Sequence, residues 1–165
     1  MKFGRSFRHL FATRWRTGQH FTPAVLDEIE AAIKDVEGHH SGEIRFVVET
    51  ALDVEEIWRD VPPRARALEV FSHLGVWDTA ANNGVLIYVL FADRDVEIVA
   101  DRGIAARVPQ ESWEQACREI EAHYREGRFA QGSVAGIRSV GSLLEQHFPG
   151  QGVDANELPD RPVLL

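Results

Sequence analysis

The apolar positions of the chain alternate between helical and strand spacing, and the changes of period mark out its elements. Thr22-Pro23 opens a clear helix, with Thr as the cap and Pro in the first turn. Leu26, Ile29, Ile33 and Val36 form one stripe along that helix, and Gly38 can end it. After a His39-His40-Ser41-Gly42 loop, residues 43–50 read as a strand with Ile44, Phe46 and Val48 on one face. Val47 on the opposite face predicts cover from both sides. The acidic stretch 53–60 has helical character and is interrupted by Pro62-Pro63. A helix over 64–74 then turns Leu68, Phe71 and Leu74 toward a core.

Residues 84–91 form an unbroken β-branched and aromatic run, as expected of a central strand buried on both faces. A turn at 92–95 and a strand at 96–100 complete a hairpin, and Asp101-Arg102-Gly103 turns again. From Pro109 a helix carries Trp113, Cys117, Ile120 and Tyr124 on one stripe as far as Gly127. The helix over 129–148 points Ile137, Val140 and Leu144 inward, and Gly132, Gly136 and Gly141 thin it for close approach to the sheet. Residues 149–165 hold breakers without period and read as a disordered tail. The order of elements predicts an α/β fold, a three-layer α/β/α sandwich around a small mixed β-sheet.

Charge adds a further segment. Residues 1–20 hold Lys2, Arg5, Arg8, Arg14 and Arg16 and no acid, which leaves thirteen basic and 26 acidic residues for the rest of the chain. Phe3, Phe7, Leu10, Phe11 and Trp15 recur there at helical spacing, so residues 1–21 are expected to form a basic N-terminal amphipathic helix. The chain thus divides into 1–21, a domain over 22–148 and the tail over 149–165. Such a helix can lie on an anionic membrane surface; the simpler expectation packs it on its own acidic domain. A net charge of −8 argues against nucleic acid as a partner. The single Cys117 excludes an internal disulfide and a cysteine-cluster metal site, and its place on an apolar stripe suits a core thiol. The absence of a membrane-spanning run and of a signal peptide predicts a cytoplasmic protein, at most peripheral to a membrane.

The segment from Trp77-Asp78 through Asn82-Asn83-Gly84, the apolar strand, Asp93-Arg94-Asp95 and the strand ending at Asp101-Arg102-Gly103 resembles the TPM domain family. Ser41-Gly42-Glu43-Ile44-Arg45 resembles the approach to that family's first strand. The resemblance covers roughly residues 22–148. It implies an α/β/α sandwich, and it implies roles ranging from acid phosphatase, through binding of divalent cations at loop carboxylates, to adaptor work in membrane-protein assembly. For bacterial members it also implies a LemA-like membrane protein as partner.

Antiparallel pairing should bring the start of the strand at Gly84 beside the end of the strand at Asp101, with Asp93 at the far end. Asp78, Asn82, Asn83 and Asp101 are therefore the candidate metal ligands, their carboxylate and amide oxygens suited to Ca²⁺ or Mg²⁺. The same residue types are ordinary turn formers. A phosphatase would need Asp78 or Asp101 as ligand and Arg94, Arg102 or Arg45 as clamp. No nucleophile elbow or phosphate-cradling loop accompanies them, which favours a non-catalytic interaction domain, with Trp58, Trp77 and the basic helix as docking features.

Overall fold

The computed structural model describes residues 3–150 and 156–165. Eleven elements precede the tail: α1 (Phe3–Phe11), α2 (Arg14–His20), α3 (Pro23–Glu37), β1 (Glu43–Glu49), α4 (Val54–Trp58), α5 (Pro63–His73), β2 (Gly84–Leu90), β3 (Asp95–Ala100), α6 (Arg102–Ala105), α7 (Gln110–Arg125) and α8 (Phe129–His147). A last strand, β4 (Val163–Leu164), follows. The sheet order is β3-β2-β1-β4, with β1 parallel to both β2 and β4 and β3 antiparallel to β2.

The chain is a three-layer α/β/α sandwich around a mixed sheet. Every residue of β2 is buried, as its unbroken apolar run requires. On one face Phe46, Val48, Ile87 and Val89 meet α3, α7 and α8 through Ile29, Ile33, Ile120, Ile137 and Leu144. On the other, Val47, Leu86, Tyr88 and Leu90 meet Ala67 and Val70 of α5, together with Val76 and Leu158. The second layer is the thinner one. Below it Tyr88 Oη donates to Glu49 Oε2 at 2.5 Å, and Arg66 pairs with Glu49 at 2.8 Å, with Glu56 at 2.9 Å and with Glu69 at 3.1 Å. This network ties α5 and α4 to the carboxyl end of β1.

Local chemistry explains the boundaries. Thr22 caps α3 through Val25 N–H, and Pro23 sits in its first turn. Asp53 and Glu56 form a reciprocal capping box on α4, which makes a helix of only five residues tenable.

Four expectations need correction. The N-terminal helix is two helices, because Thr13 breaks the run and caps α2. In α5 Ala67 and Val70 are the fully buried positions, with Phe71 and Leu74 packed partly buried beside them as expected, whereas Leu68 is exposed. The glycines of α8 let it approach other helices and not the sheet: Gly132 and Gly136 lie against His123, Tyr124 and Ile120 of α7, and Gly141 lies against Val36 of α3. The tail is partly built. Residues 156–165 run along β1, where Leu165 N–H donates to Val48 O, Thr50 N–H donates to Leu165 O, and Leu158 is buried. Arg45 donates to the carbonyls of Pro159 and Arg161, and Arg161 pairs with Asp27 and Glu30 of α3.

Candidate functional site

The amino-terminal ends of β1 and β2 meet the carboxyl end of β3 at one edge of the sandwich. Asp101 N–H donates to Gly84 O at 2.8 Å, so the last residue of the hairpin stands beside the loop that leads into β2. That loop is packed against its surroundings through backbone. A Cβ on Gly84 would lie 1.9 Å from Val76 O, and one on Gly103 would lie 2.5 Å from Asn82 O. Asn82 adopts a left-handed conformation with φ 52°, one that Asn tolerates better than most residues.

Three of the four candidate ligands converge here. Asp101 Oδ1 accepts from Arg102 N–H at 2.7 Å, while its Oδ2 is buried without a partner. The Asn83 side-chain amide donates to Ser41 O, which fixes its orientation, and its Oδ1 is likewise buried without a partner. Asn83 is 4% exposed and Asp101 8%. Two oxygens removed from water with no donor facing them are costly to leave unmatched, and they are hard donors of the kind Ca²⁺ and Mg²⁺ take. Asn82 differs, since its Oδ1 already accepts from Arg102 Nε at 3.1 Å. Asp78 is exposed in the turn after α5, where its N–H donates to Gly75 O. The free side-chain donors are therefore Asn83 and Asp101. Among the described residues no group of three or more His, Cys, Asp or Glu side chains is arranged to hold a metal ion.

Two further acids reach this edge that motif reasoning did not single out. Glu157 Oε2 accepts from Ala80 N–H at 2.9 Å, and Glu43 Oε2 accepts from Leu158 N–H at 3.0 Å. Burial pushes the Glu43 carboxyl up, against the pull of the N–H groups of Leu158 and Glu157. Close by, Glu37 Oε1 accepts from Ile44 N–H at 2.6 Å, and burial pushes its carboxyl up to about 8, helped by Glu43 and Asp160. Glu157 arrives on the tail, whose position no periodicity could give.

The remaining candidates scatter. Of the possible phosphate clamps, Arg102 is at this edge, Arg45 is committed to tail carbonyls, and Arg94 sits in the β2–β3 turn at the opposite end. His39 and His40, in the loop before β1, are engaged separately. His39 Nδ1 lies 2.9 Å from Asp35 O, and the buried His40 accepts from Gly42 N–H, with its pKa pushed by burial down to about 4. The Cys117 thiol is pushed by burial up to about 12, which keeps it unreactive.

At the carboxyl ends of β1 and β2 the chemistry is reversed. Asp93, in the β2–β3 turn, receives Arg5 Nε at 2.8 Å, Arg8 at 3.1 Å and His9 Nε2 at 3.1 Å. His9 Nδ1 accepts from Leu52 N–H at 3.0 Å, which leaves the ring proton on Nε2, facing the carboxylate. Arg5 also reaches Val61 O at 2.8 Å. Burial alone would raise Asp93, but the hydrogen bonds of His9 and Arg5, together with the Arg5 charge, prevail and hold it far below the usual carboxylate range.

The arrangement defines a TPM-type sandwich. A family model for the TPM domain matches residues 17–143, and the chain belongs to that family. Among solved structures, the chain resembles the BA42 protein of the psychrophilic bacterium Bizionia argentinensis at 33% identity and TM-score 0.77, covering 87% of this chain and 94% of that one. The N-terminal domain of a P. gingivalis protein matches at 20% identity and TM-score 0.61, over 77% and 78% of the two chains. The N-terminal domain of the cg2496 protein of Corynebacterium glutamicum matches at 15% identity and TM-score 0.56, over 82% of each. These last two show likeness of fold alone. No curated protein matches the sequence. Among the described residues no helix is long and apolar enough to cross a membrane.

Proposed function

We propose that the protein is a non-catalytic interaction domain that takes up a divalent cation, Ca²⁺ or Mg²⁺, at the edge where β2 begins. The observation that carries this reading is the pair of buried, partnerless oxygens, Asn83 Oδ1 and Asp101 Oδ2, on segments joined by the Asp101–Gly84 hydrogen bond. With so few protein oxygens the ion keeps much of its water, and the affinity belongs to the weak class with dissociation constants of about 10⁻⁴–10⁻³ M. A membrane-associated assembly partner, such as a LemA-like protein, would then read the loop and ion together.

Thermal unfolding of chelated protein with Ca²⁺ or Mg²⁺ added separately tests the ion. At about a hundred times the dissociation constant the folded state gains roughly 2.7 kcal/mol, a readily visible rise in Tm. Asp101→Asn keeps the oxygen that caps Arg102 but removes the charge, and is expected to abolish the rise. No rise with either ion, or a rise that survives both Asp101→Asn and Asn83→Ala, overturns the site.

Arg102 supports a second reading, a metal-dependent phosphatase, because Asn82 Oδ1 holds its guanidinium at the same edge of the sheet. Hydrolysis of a generic phosphate ester that requires the ion and disappears in Asp101→Asn would replace the first reading with this one.

A further inference from the structure

Helix α1 is docked inside out. Its polar residues Arg5 and His9 face the domain and close on Asp93, while Phe7, Leu10 and Phe11, at i, i+3 and i+4, face water. Phe7 is 64% exposed, Leu10 74% and Phe11 52%, and Trp15 on α2 is 72% exposed. The helix does pack on its own domain, through its polar face. Such a cluster on the surface of a soluble fold marks a place of contact.

The charges around the cluster identify what it contacts. Among the described residues Arg14, Arg16 and Arg94 have no acidic partner within ion-pair distance, nor do Arg45, Arg102, Arg107 and Arg138, whereas the other nine arginines are ion-paired, namely Arg5, Arg8, Arg59, Arg64, Arg66, Arg118, Arg125, Arg128 and Arg161. Arg16 and Arg94 border a groove of about 470 Å³ whose apolar walls are Phe7, Phe11, Phe91 and Phe129. Aromatic side chains with unpaired guanidinium groups beside them match a layer that is apolar below and negative at its surface.

We infer that the outward face of α1 and α2 seats the protein on an anionic phospholipid surface, with Phe7, Leu10, Phe11 and Trp15 entering the headgroup boundary and Arg14, Arg16 and Arg94 meeting phosphates. At this end Asp60 and Asp93 are paired with arginines of α1, and Glu55 and Glu56 with Arg59 and Arg66. The acids around Asp101 lie at the other end of β2, whose seven residues span roughly 23 Å, nearly three Debye lengths at physiological salt. The inference does not rest on the cation site, which lies at that far end.

Flotation of the full chain with vesicles tests it directly. Vesicles of phosphatidylcholine mixed with phosphatidylglycerol should carry the protein up the gradient, phosphatidylcholine alone should not, and high salt should release it. Leu10→Ser with Trp15→Ser should abolish flotation without changing the melting temperature, because both side chains are exposed and neither holds the helix in place. Arg14→Glu and Arg16→Glu should each weaken partitioning, and replacing one arginine by a neutral residue should cost about fivefold. Failure to float with anionic vesicles, equal flotation with neutral ones, or flotation that survives the Leu10/Trp15 variant overturns the inference. So does a concentration-dependent dimer that the same variant dissolves, since a second copy would then cover the face.

Discussion

The two ends of the sheet solve opposite problems with opposite chemistry. Where β1 and β2 begin, acids and amides are buried, held by short backbone hydrogen bonds, and two oxygens face no donor. Where β1 and β2 end, a single buried carboxylate, Asp93, gathers two arginines and a histidine, and the aromatic residues of the same helices are left outside. The first end is part of the sandwich itself. The second is an attachment in which α1 meets the domain through Arg5, Arg8 and His9, while α2 adds the His20 ring packed against Phe91 and Phe129. A site made of backbone and buried side chains stands or falls with the fold, whereas a helix held by charges can be released while the fold survives.

The largest effect that would break this contrast is at Gly84. Gly84→Ala sets a Cβ 1.9 Å from Val76 O, where only backbone movement relieves the clash, and it should cost roughly 3 kcal/mol in denaturant unfolding. A loss well under 1 kcal/mol would mean that the loop is soft and the two ends are less different than the packing implies. Next comes Asp93→Ala, which leaves Arg5 without its counter-charge and the ring N–H of the fully buried His9 without the carboxylate it faces. About 2 kcal/mol of local stability should vanish, seen as faster hydrogen exchange confined to α1 and α2. Spread of that exchange into β2 would make the helices part of the cooperative core. Because Asp93 is held far below its ordinary value of 3.8, its contribution is complete at neutral pH, begins to fall as pH drops through that ordinary value, and goes on falling in stronger acid.

The smallest effect sharpens the comparison through pH. Glu37, at the acid-rich end, has a carboxyl raised from 4.5 to about 8. Between those values the folded chain keeps a proton that the unfolded chain releases, so this group makes stability fall as pH rises. Glu37→Gln mimics the protonated acid and keeps an oxygen for Ile44 N–H. The variant should overtake the parent chain by on the order of 1 kcal/mol toward pH 8 and match it near pH 5, the figure being discounted for partial contact with solvent. Parallel pH curves for the two proteins would remove Glu37 from the account.

Most of the sandwich was legible because its elements carry their own signals. The run of β2 admits no exposed face, Thr22-Pro23 writes a helix start, and the β2–β3 hairpin obliges Asp101 to return to Gly84. Other features depend on partners distant in sequence. The spacing of Phe7, Leu10 and Phe11 reveals that α1 has two faces but not which one meets the domain; that is decided by Asp93, more than eighty residues away in sequence. Asn82 was grouped with the free oxygens because residue type cannot show that Arg102 has already taken its side chain. The tail was unreadable for a different reason. Two residues of strand have no period, and the clues were Leu158, alone in a polar stretch, and the short run Val163-Leu164-Leu165.

That tail bears on solubility. The two borders of the sheet are β3 and β4. β3 carries Asp95 and Glu97, charges that discourage pairing with a foreign strand. β1 carries Glu43, Arg45 and Glu49, but Glu43 and Glu49 are buried and committed to Leu158 N–H and to Tyr88 and Arg66. Its centre of Phe46, Val47 and Val48 is wholly buried, and its second backbone edge is covered by β4 and by the tail carbonyls that Arg45 binds. If residues 156–165 are cut away or pulled off, an apolar strand is left with bare N–H and C=O groups, which is a template for edge-to-edge aggregation. The last ten residues thus act as a cover that keeps a sticky strand from finding another copy of itself.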